Sequence, residues 1–371
     1  MSQEETFTIG VEEEYQIIDP STRQLSASAL PILRRASQKL GKQVQPELKL
    51  SQIEVATPIC PTLADVRTHL QQLRREVIIA ARQEGKVIAS AGTHPLSHWK
   101  EQPVTPTERY RGLAKDYRQL VYEQAIFGCH IHIGLRDREA AVQVMNRMRI
   151  WLSVLLALTA SSPFWLAGDT GYASFRTEIW GRWPMSGPPA FFESLQELQG
   201  LAEALIAIGA IEDTTKIYWD MRLSERFETI EIRVSDACTS INEAVMLAGL
   251  TRALVRTCYQ QETEKVPFKI VRPEILRVTH WQAARYGVSE QLVDIEEQRL
   301  VPTSVLLEKL LMLVQPSLEA EGDWEEVASQ VYQVLRKGNS ASRQREAYQR
   351  RGKIEDVVNM LVEETAEGTG V

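Results

Sequence analysis

Alternation of apolar and polar residues with period two predicts strands at residues 7–18, 48–57, 87–91 and 126–135, because successive side chains of an extended chain point to opposite faces. The turn residues Asp19-Pro20-Ser21-Thr22 close the first strand, and Pro58 and Pro61 close the second. Spacings of three and four predict helices at 29–40 and 63–84, the second with Leu63, Val66, Leu70, Leu73 and Val77 on one stripe. A helix is expected over 138–160, followed by a Gly-, Pro- and Trp-rich stretch, 161–189, with no regular period. Residues 191–208 read as helix, and 217–223 and 229–234 as the arms of a hairpin. From 242 onward the pattern is almost wholly helical: 243–262, 275–286, 304–313, 324–336 and 341–364.

Strands that cluster, with helices between and after them, point to an α+β architecture around a mainly antiparallel sheet. No linker interrupts the pattern, so a single domain over 1–371 is expected, helix-rich after about 242. Residues 363–371 are expected to fray as a disordered tail.

Composition narrows the functional classes. The 371 residues are 44% hydrophobic and 25% charged, ordinary for a folded protein. A net charge of -7 argues against a nucleic-acid-binding surface, so any phosphate recognition has to be local. Cys60, Cys129, Cys238 and Cys258 show no C-x-x-C spacing, and reduced thiols are expected. The acidic start, Met1-Ser2-Gln3-Glu4-Glu5, does not resemble a signal peptide, and the apolar stretch 150–160 falls short of the roughly 18 residues a membrane span needs. A cytoplasmic protein with no membrane partner is the expectation. The long apolar helices after Asn242 leave room for a homodimer interface.

Ionisable residues inside the predicted strands are the departure from this plain picture. Gly10-Val11-Glu12-Glu13-Glu14-Tyr15 puts Glu12 and Glu14 on one face and Glu13 on the other, with Val11 and Tyr15. Glu54 lies in an apolar run before Thr57-Pro58. Glu47 is an odd number of residues before it, so a bulge or loop position is needed if both are to reach one site. His130 and His132 share a face, as do Glu231 and Arg233. Unpaired carboxylates are costly to bury, so their convergence implies a cation, most simply Mg²⁺ with a phosphate-bearing substrate. Each cluster taken alone also reads as an exposed acidic edge, a satisfied core histidine or a cross-strand ion pair. Arg176 and Arg182, among aromatics, suit a bidentate grip on a substrate carboxylate, with an arginine lying over an aromatic ring as the plainer account. Arg222 and Arg226 read as solvated. No Gly-rich phosphate loop of either common type is present.

Taken in order, Gly10-Val11-Glu12-Glu13-Glu14, Gln52-Ile53-Glu54, Gly92-Thr93-His94-Pro95, His130-Ile131-His132, Arg182-Trp183-Pro184, Trp219-Asp220-Met221-Arg222 and Glu231-Ile232-Arg233 resemble the carboxylate-amine ligases of the second glutamate-cysteine ligase family. That resemblance spans about 7–345 and implies a glutamine-synthetase-like fold, related to that of guanidino kinases, in which a curved antiparallel sheet forms a funnel packed with helices. It implies ATP and Mg²⁺ as cofactors, with Glu12, Glu14, Glu47, Glu54 and Glu231 on metal, and Glu54 and Arg233 acting in catalysis. Arg233 and one of His130 and His132 would meet the nucleotide. The implied reaction activates a small-molecule carboxylate, such as the γ-carboxylate of glutamate, as an acyl phosphate that an amine, cysteine among them, then displaces. Two competing readings are a phosphotransferase of guanidino-kinase type and a non-catalytic nucleotide- or amino-acid-binding protein.

Overall fold

A computed structural model describes residues 5–371. Its strands are β1 (Ile9–Ile18), β2 (Val44–Pro46), β3 (Gln52–Ala56), β4 (Val87–Ala89), β5 (Cys129–Gly134), β6 (Phe164–Trp165), β7 (Gly168–Asp169), β8 (Met221–Leu223), β9 (Thr229–Ile232), β10 (Gln291–Asp294) and β11 (Arg299–Pro302). Seven of them form one sheet in the order β2-β3-β1-β5-β9-β8, with β4 also paired to β1, and every pairing is antiparallel. The pairs β6-β7 and β10-β11 stand apart as small hairpins. The α+β class and the antiparallel sheet are therefore as expected.

Register decides what the sheet presents. Glu14 is opposite Glu54, Glu12 opposite His130, and Glu231 opposite both His132 and Arg222. Directly opposed residues share a face, so these polar side chains line one side, the front. Ile9, Val11, Ile53, Val55, Ile131, Ile133, Ile230 and Ile232 face the back, where all are buried.

Helices cover the back of the sheet and also flank its front. In chain order they are α1 (Ala29–Leu40), α2 (Leu63–Gln83), α3 (Glu108–Tyr117), α4 (Gln119–Glu123), α5 (Arg138–Met148), α6 (Leu152–Thr159), α7 (Phe175–Trp180), α8 (Leu195–Ala207), α9 (Ile241–Thr263), α10 (Pro273–Tyr286), α11 (Thr303–Glu321), α12 (Trp324–Lys337), α13 (Ser340–Arg351) and α14 (Ile354–Ala366). α2 and α9 pack against β1, and α9 also against β5. Both helices begin with a capping box, Thr62 with Asp65 and Ser240 with Glu243, which satisfies two otherwise unpaired N–H groups at each start. The apolar stripe Leu63, Val66 and Leu70 of α2 joins the main core, while Leu73 and Val77 join a second core with α1 and the end of β1.

Several expectations are corrected. The strand expected at 48–57 is shortened to β3, at 52–56; an unexpected strand, β2, precedes it, and Glu47 lies in the turn between the two. The helix at 138–160 divides at a tighter turn, Arg149–Trp151; residues 138–159 are long and apolar enough to cross a membrane, but 89% of their most apolar 18-residue window is buried inside the protein. Gly352, at φ 66°, breaks the helix expected at 341–364 into α13 and α14. Nor do residues 363–371 fray. α14 runs to Ala366, and Thr365 is fully buried, its hydroxyl accepting the Ser90 N–H at 2.9 Å and its carbonyl a hydrogen bond from Arg74. That docking onto α2 and β4 outweighs the fraying that a chain end otherwise favours.

Candidate functional site

The front face carries two groups of carboxylates in different states. In the first, Glu12 lies 3.2 Å from His130 Nδ1 and 3.3 Å from His132 Nε2. Burial pushes its carboxyl up, but the two imidazoles beside it outweigh this and hold it well below the usual range. Glu231 is bracketed by Arg222, at 2.7 Å, and by Arg233. Against its burial, these guanidinium groups hold it below the ordinary carboxylate range. Arg222 is thus an ion-pair partner rather than the solvated residue expected. Burial and the Arg233 charge push His130 down to about 4, so it is neutral near pH 7.

Glu12, His132 and Glu231 bring one ligand atom each within 4.8 Å of one another. His132 Nδ1 is 3.1 Å from Thr229 Oγ1, and Nε2 closes no hydrogen bond. Burial lowers the His132 imidazole, but Glu12 and then Glu231 outweigh it and hold it raised; a divalent cation bound beside Glu12 and Glu231 would displace that proton and take Nε2 as a ligand, with Nδ1 left to Thr229.

The second group is Glu14, Glu47 and Glu54. Here burial, followed by the Glu47 charge, lifts Glu14 to about 8. Burial raises Glu47. Glu54 is raised well above its ordinary value by burial and then by Glu12, Glu47 and Glu14. Glu14 accepts the Gly128 N–H at 2.8 Å and Glu47 the Tyr110 hydroxyl at 2.7 Å, whereas no described residue donates a hydrogen bond to Glu54. Three repelling carboxylates, offset only in part by Arg109, Arg176 and Arg233, form a hard-oxygen donor set, which fits a small divalent cation such as Mg²⁺. Glu47 reaches this group from its turn, so no bulge is required.

Beside this group is a cavity lined by Glu14, Glu47, Gln52, Arg109, Tyr110, His130, Arg176, Trp180, Trp183, Tyr218 and Arg233, among others. Arg233 lies over the Trp180 ring, and its Nε has no partner. Arg176 is 4% exposed, with Nη1 3.9 Å from Asp236 and Nε unpartnered. Its approach depends on Gly128, where a Cβ would meet Arg176 Nη2 at 2.6 Å. Asp236 in turn is held by Ser161 N–H and by the Ser162 and Ser174 hydroxyls at 2.6–2.8 Å. Arg182 is not part of the cavity lining: it pairs with Glu123 at the surface.

Sequence reasoning missed the roof of this cavity. Neither α3 nor α4 was anticipated, yet α3 supplies Arg109, Tyr110 and Leu113, and Gln124 follows directly on α4. Pairing Arg222 with Glu231 was in principle available from the hairpin, since it follows once the register of β8 and β9 is known. Two residues of the predicted motifs are structural instead. Burial pushes His94 down to about 3, and its Nδ1 accepts the N–H groups of Leu96 and Ser97, shaping a turn. Glu13, on the back face, is fully enclosed with Arg74.

Comparison with known proteins places this geometry. The pattern of the family described as glutamate-cysteine ligase family 2 matches residues 8–360. A protein of Rhodopirellula baltica provisionally named glutamate–cysteine ligase 2 is 42% identical over 363 residues, covering 96% of each chain. One from Roseiflexus castenholzii with the same provisional name is 38% identical, covering 98% of this chain and 96% of its own. Among solved structures, a glutamate–cysteine ligase of Francisella tularensis in complex with AMP aligns with a TM-score of 0.74 at 11% identity, over 100% of this chain and 90% of that one. A bifunctional glutathione synthetase of Pasteurella multocida aligns with a TM-score of 0.73 at 14% identity, over 98% of this chain and 52% of that one. At those identities the likeness is one of fold.

Proposed function

The chain belongs to glutamate-cysteine ligase family 2, and from that membership we propose that it is an ATP-dependent ligase joining a carboxylate to an amine. The γ-carboxylate of glutamate is the first candidate for the acid, with an amine such as cysteine as its partner. One observation carries the reading: two carboxylate groups flank Arg233 on the front, one ion-paired with protein cations and the other, among the described residues, without an ion pair and raised by burial.

In this reading Glu14, Glu47 and Glu54 would hold one Mg²⁺, and Glu12 and Glu231, with His132 beside them, a second. Mg²⁺ held there would supply positive charge to offset that of the triphosphate and of the transferring phosphoryl group. Arg233 lies between the two carboxylate groups and supports charge developing on that phosphoryl group. Arg176, with its unpartnered Nε facing the same cavity, orients the attacking carboxylate. No side-chain nucleophile is needed, because the substrate carboxylate attacks phosphorus directly. Trp180, Trp183 and Tyr218, roofed by α3, keep water from the acyl phosphate that results. The four buried free cysteines suit a reducing cytoplasm.

Mass spectrometry of products from ATP, Mg²⁺, glutamate and an amine panel tests the proposal. ADP, phosphate and a new amide mass should appear only when acid and amine are both present. ADP with a stable phosphorylated substrate would replace the ligase by a phosphotransferase.

A further inference from the structure

Asp220 is a buried carboxylate for which the ligase reading provides no task. It is 3% exposed, and no described residue donates a hydrogen bond to its side chain; Oδ2 has only His280 Nε2, at 3.4 Å. Its backbone is fixed on both sides, the N–H donating to Gly187 at 2.9 Å and the carbonyl accepting from Arg233 at 2.7 Å. Met221 is opposite Ile232 in the sheet, so one step further along the register Asp220 is opposite Arg233. Alternation then puts Asp220 on the front face with Arg222, two residues beyond Tyr218 of the cavity wall.

His280 approaches from α10, which packs against α7, the helix that carries Arg176. It is 7% exposed, and its Nδ1 is buried without a partner. A carboxylate and an imidazole, each nine-tenths buried and each with an unsatisfied atom, therefore adjoin the two arginines assigned to the carboxylate and its phosphoryl group. A pair that served only the fold would be expected to close its hydrogen bonds, as Glu13 and Arg74 do on the other face.

We propose that Asp220, backed by His280, accepts the proton of the amine nucleophile, an inference that rests on the ligase reading. An ammonium ion cannot attack until it releases a proton. That proton passes to the Asp220 carboxylate, and the freed lone pair forms the C–N bond at the acyl carbon. The C–O bond to phosphate breaks, and phosphate leaves with the electron pair and with the second N–H proton. His280 then takes the proton from Asp220 through Nε2, restoring the carboxylate. Burial raises the Asp220 carboxyl above its ordinary value, which strengthens it as an acceptor, while the charges of Arg176 and Arg233 limit the rise.

Hydroxylamine separates this role from a structural one, because it is largely unprotonated at neutral pH and attacks acyl phosphates without a base. With ATP, Mg²⁺ and glutamate, Asp220→Asn should form hydroxamate within about threefold of the wild-type rate. Amide formation with the amines the wild type uses should fall roughly 100-fold, the usual scale of a general base. His280→Gln, which keeps Asp220 in place, should show the same selective loss, about tenfold, and it decides the matter if Asp220→Asn does not fold. Equal loss of hydroxamate and amide in a folded variant, or loss of neither, overturns the proposal. A wild type that forms neither product would sink the ligase reading, and this inference with it.

Discussion

Glu13 and Glu54 are carboxylates on neighbouring strands, yet the protein treats them in opposite ways. Glu13, on the back, receives Arg74 Nε at 3.0 Å, Arg74 Nη2 at 2.5 Å and the Tyr15 hydroxyl at 2.6 Å. Arg74 spends its remaining donors on the carbonyls of Thr239, Cys238 and Thr365. Every charge there has an answer within the chain, and the pair ties β1 to α2, to the start of α9 and to the C-terminal helix. Glu54, on the front, has no hydrogen bond and three carboxylates nearby. Burial does not distinguish a structural charge from a functional one; the presence of a partner does.

The sharpest way to break this contrast is to remove the back-face partner. Arg74→Gln leaves Glu13 enclosed and uncompensated, and breaking such a buried pair costs about 3–5 kcal/mol. Denaturant unfolding should show that loss, while turnover per folded molecule stays close to wild type at low temperature. A stable variant without turnover would mean that the two faces cannot be separated in this way.

On the front the signs reverse. Glu54→Gln removes a charge its neighbours repel, so stability should hold or rise slightly. Turnover should fall roughly 100-fold, a barrier increase of about 2.7 kcal/mol, as expected when a metal ligand to the transferring phosphoryl group is lost. Steady-state rates at saturating ATP, set beside the unfolding midpoint, check both halves.

How far the sequence foretold this contrast depends on the element. Alternation alone separated Glu13 from Glu12 and Glu14, because β1 is regular over its ten residues. Glu47 was harder: it lies in a turn, where no period holds, and only its place between β2 and β3 brings it to the front. Arg176 and Arg182 read alike, each beside aromatics, and tertiary packing alone set one in the cavity and the other at the surface. α3 is so polar, with Glu108, Arg109, Arg111, Lys115 and Asp116 along it, that its two buried residues, Tyr110 and Leu113, left almost no helical stripe to detect.

Metal and pH should act on the front face alone. In the metal-free protein Glu14 is raised to about 8, and Glu47 and Glu54 are raised too. The folded state therefore binds more protons than the unfolded chain between the ordinary carboxylate range and about pH 8. These groups contribute most to stability below that window, and their contribution is lost as pH rises through it. Mg²⁺ requires the ionised carboxylates, so its stabilising effect should grow over the same interval. At tenfold excess over Kd, near pH 8, it should reach about 1.4 kcal/mol. Thermal unfolding with chelator and with Mg²⁺ at pH 5 and pH 8 measures this, and an equal shift at both values would contradict it.

The smallest effect is expected at Arg182, the arginine that resembled Arg176 in the sequence. Its partner is Glu123, its side chain is 39% exposed, and its Nε donates to the nearby Ile179 carbonyl at 3.3 Å. An ion pair open to solvent contributes only about 0–1 kcal/mol, so Arg182→Gln should change stability by less than that and turnover by no more than about twofold. Arg176→Gln, by contrast, empties a buried position facing the cavity, and KM for the carboxylate should rise while KM for ATP changes little. Comparing the two variants in one assay isolates the contribution of position. If Arg182→Gln raised the carboxylate KM as far as Arg176→Gln does, the surface pair with Glu123 would have to open during turnover, and the front face would extend past the cavity rim.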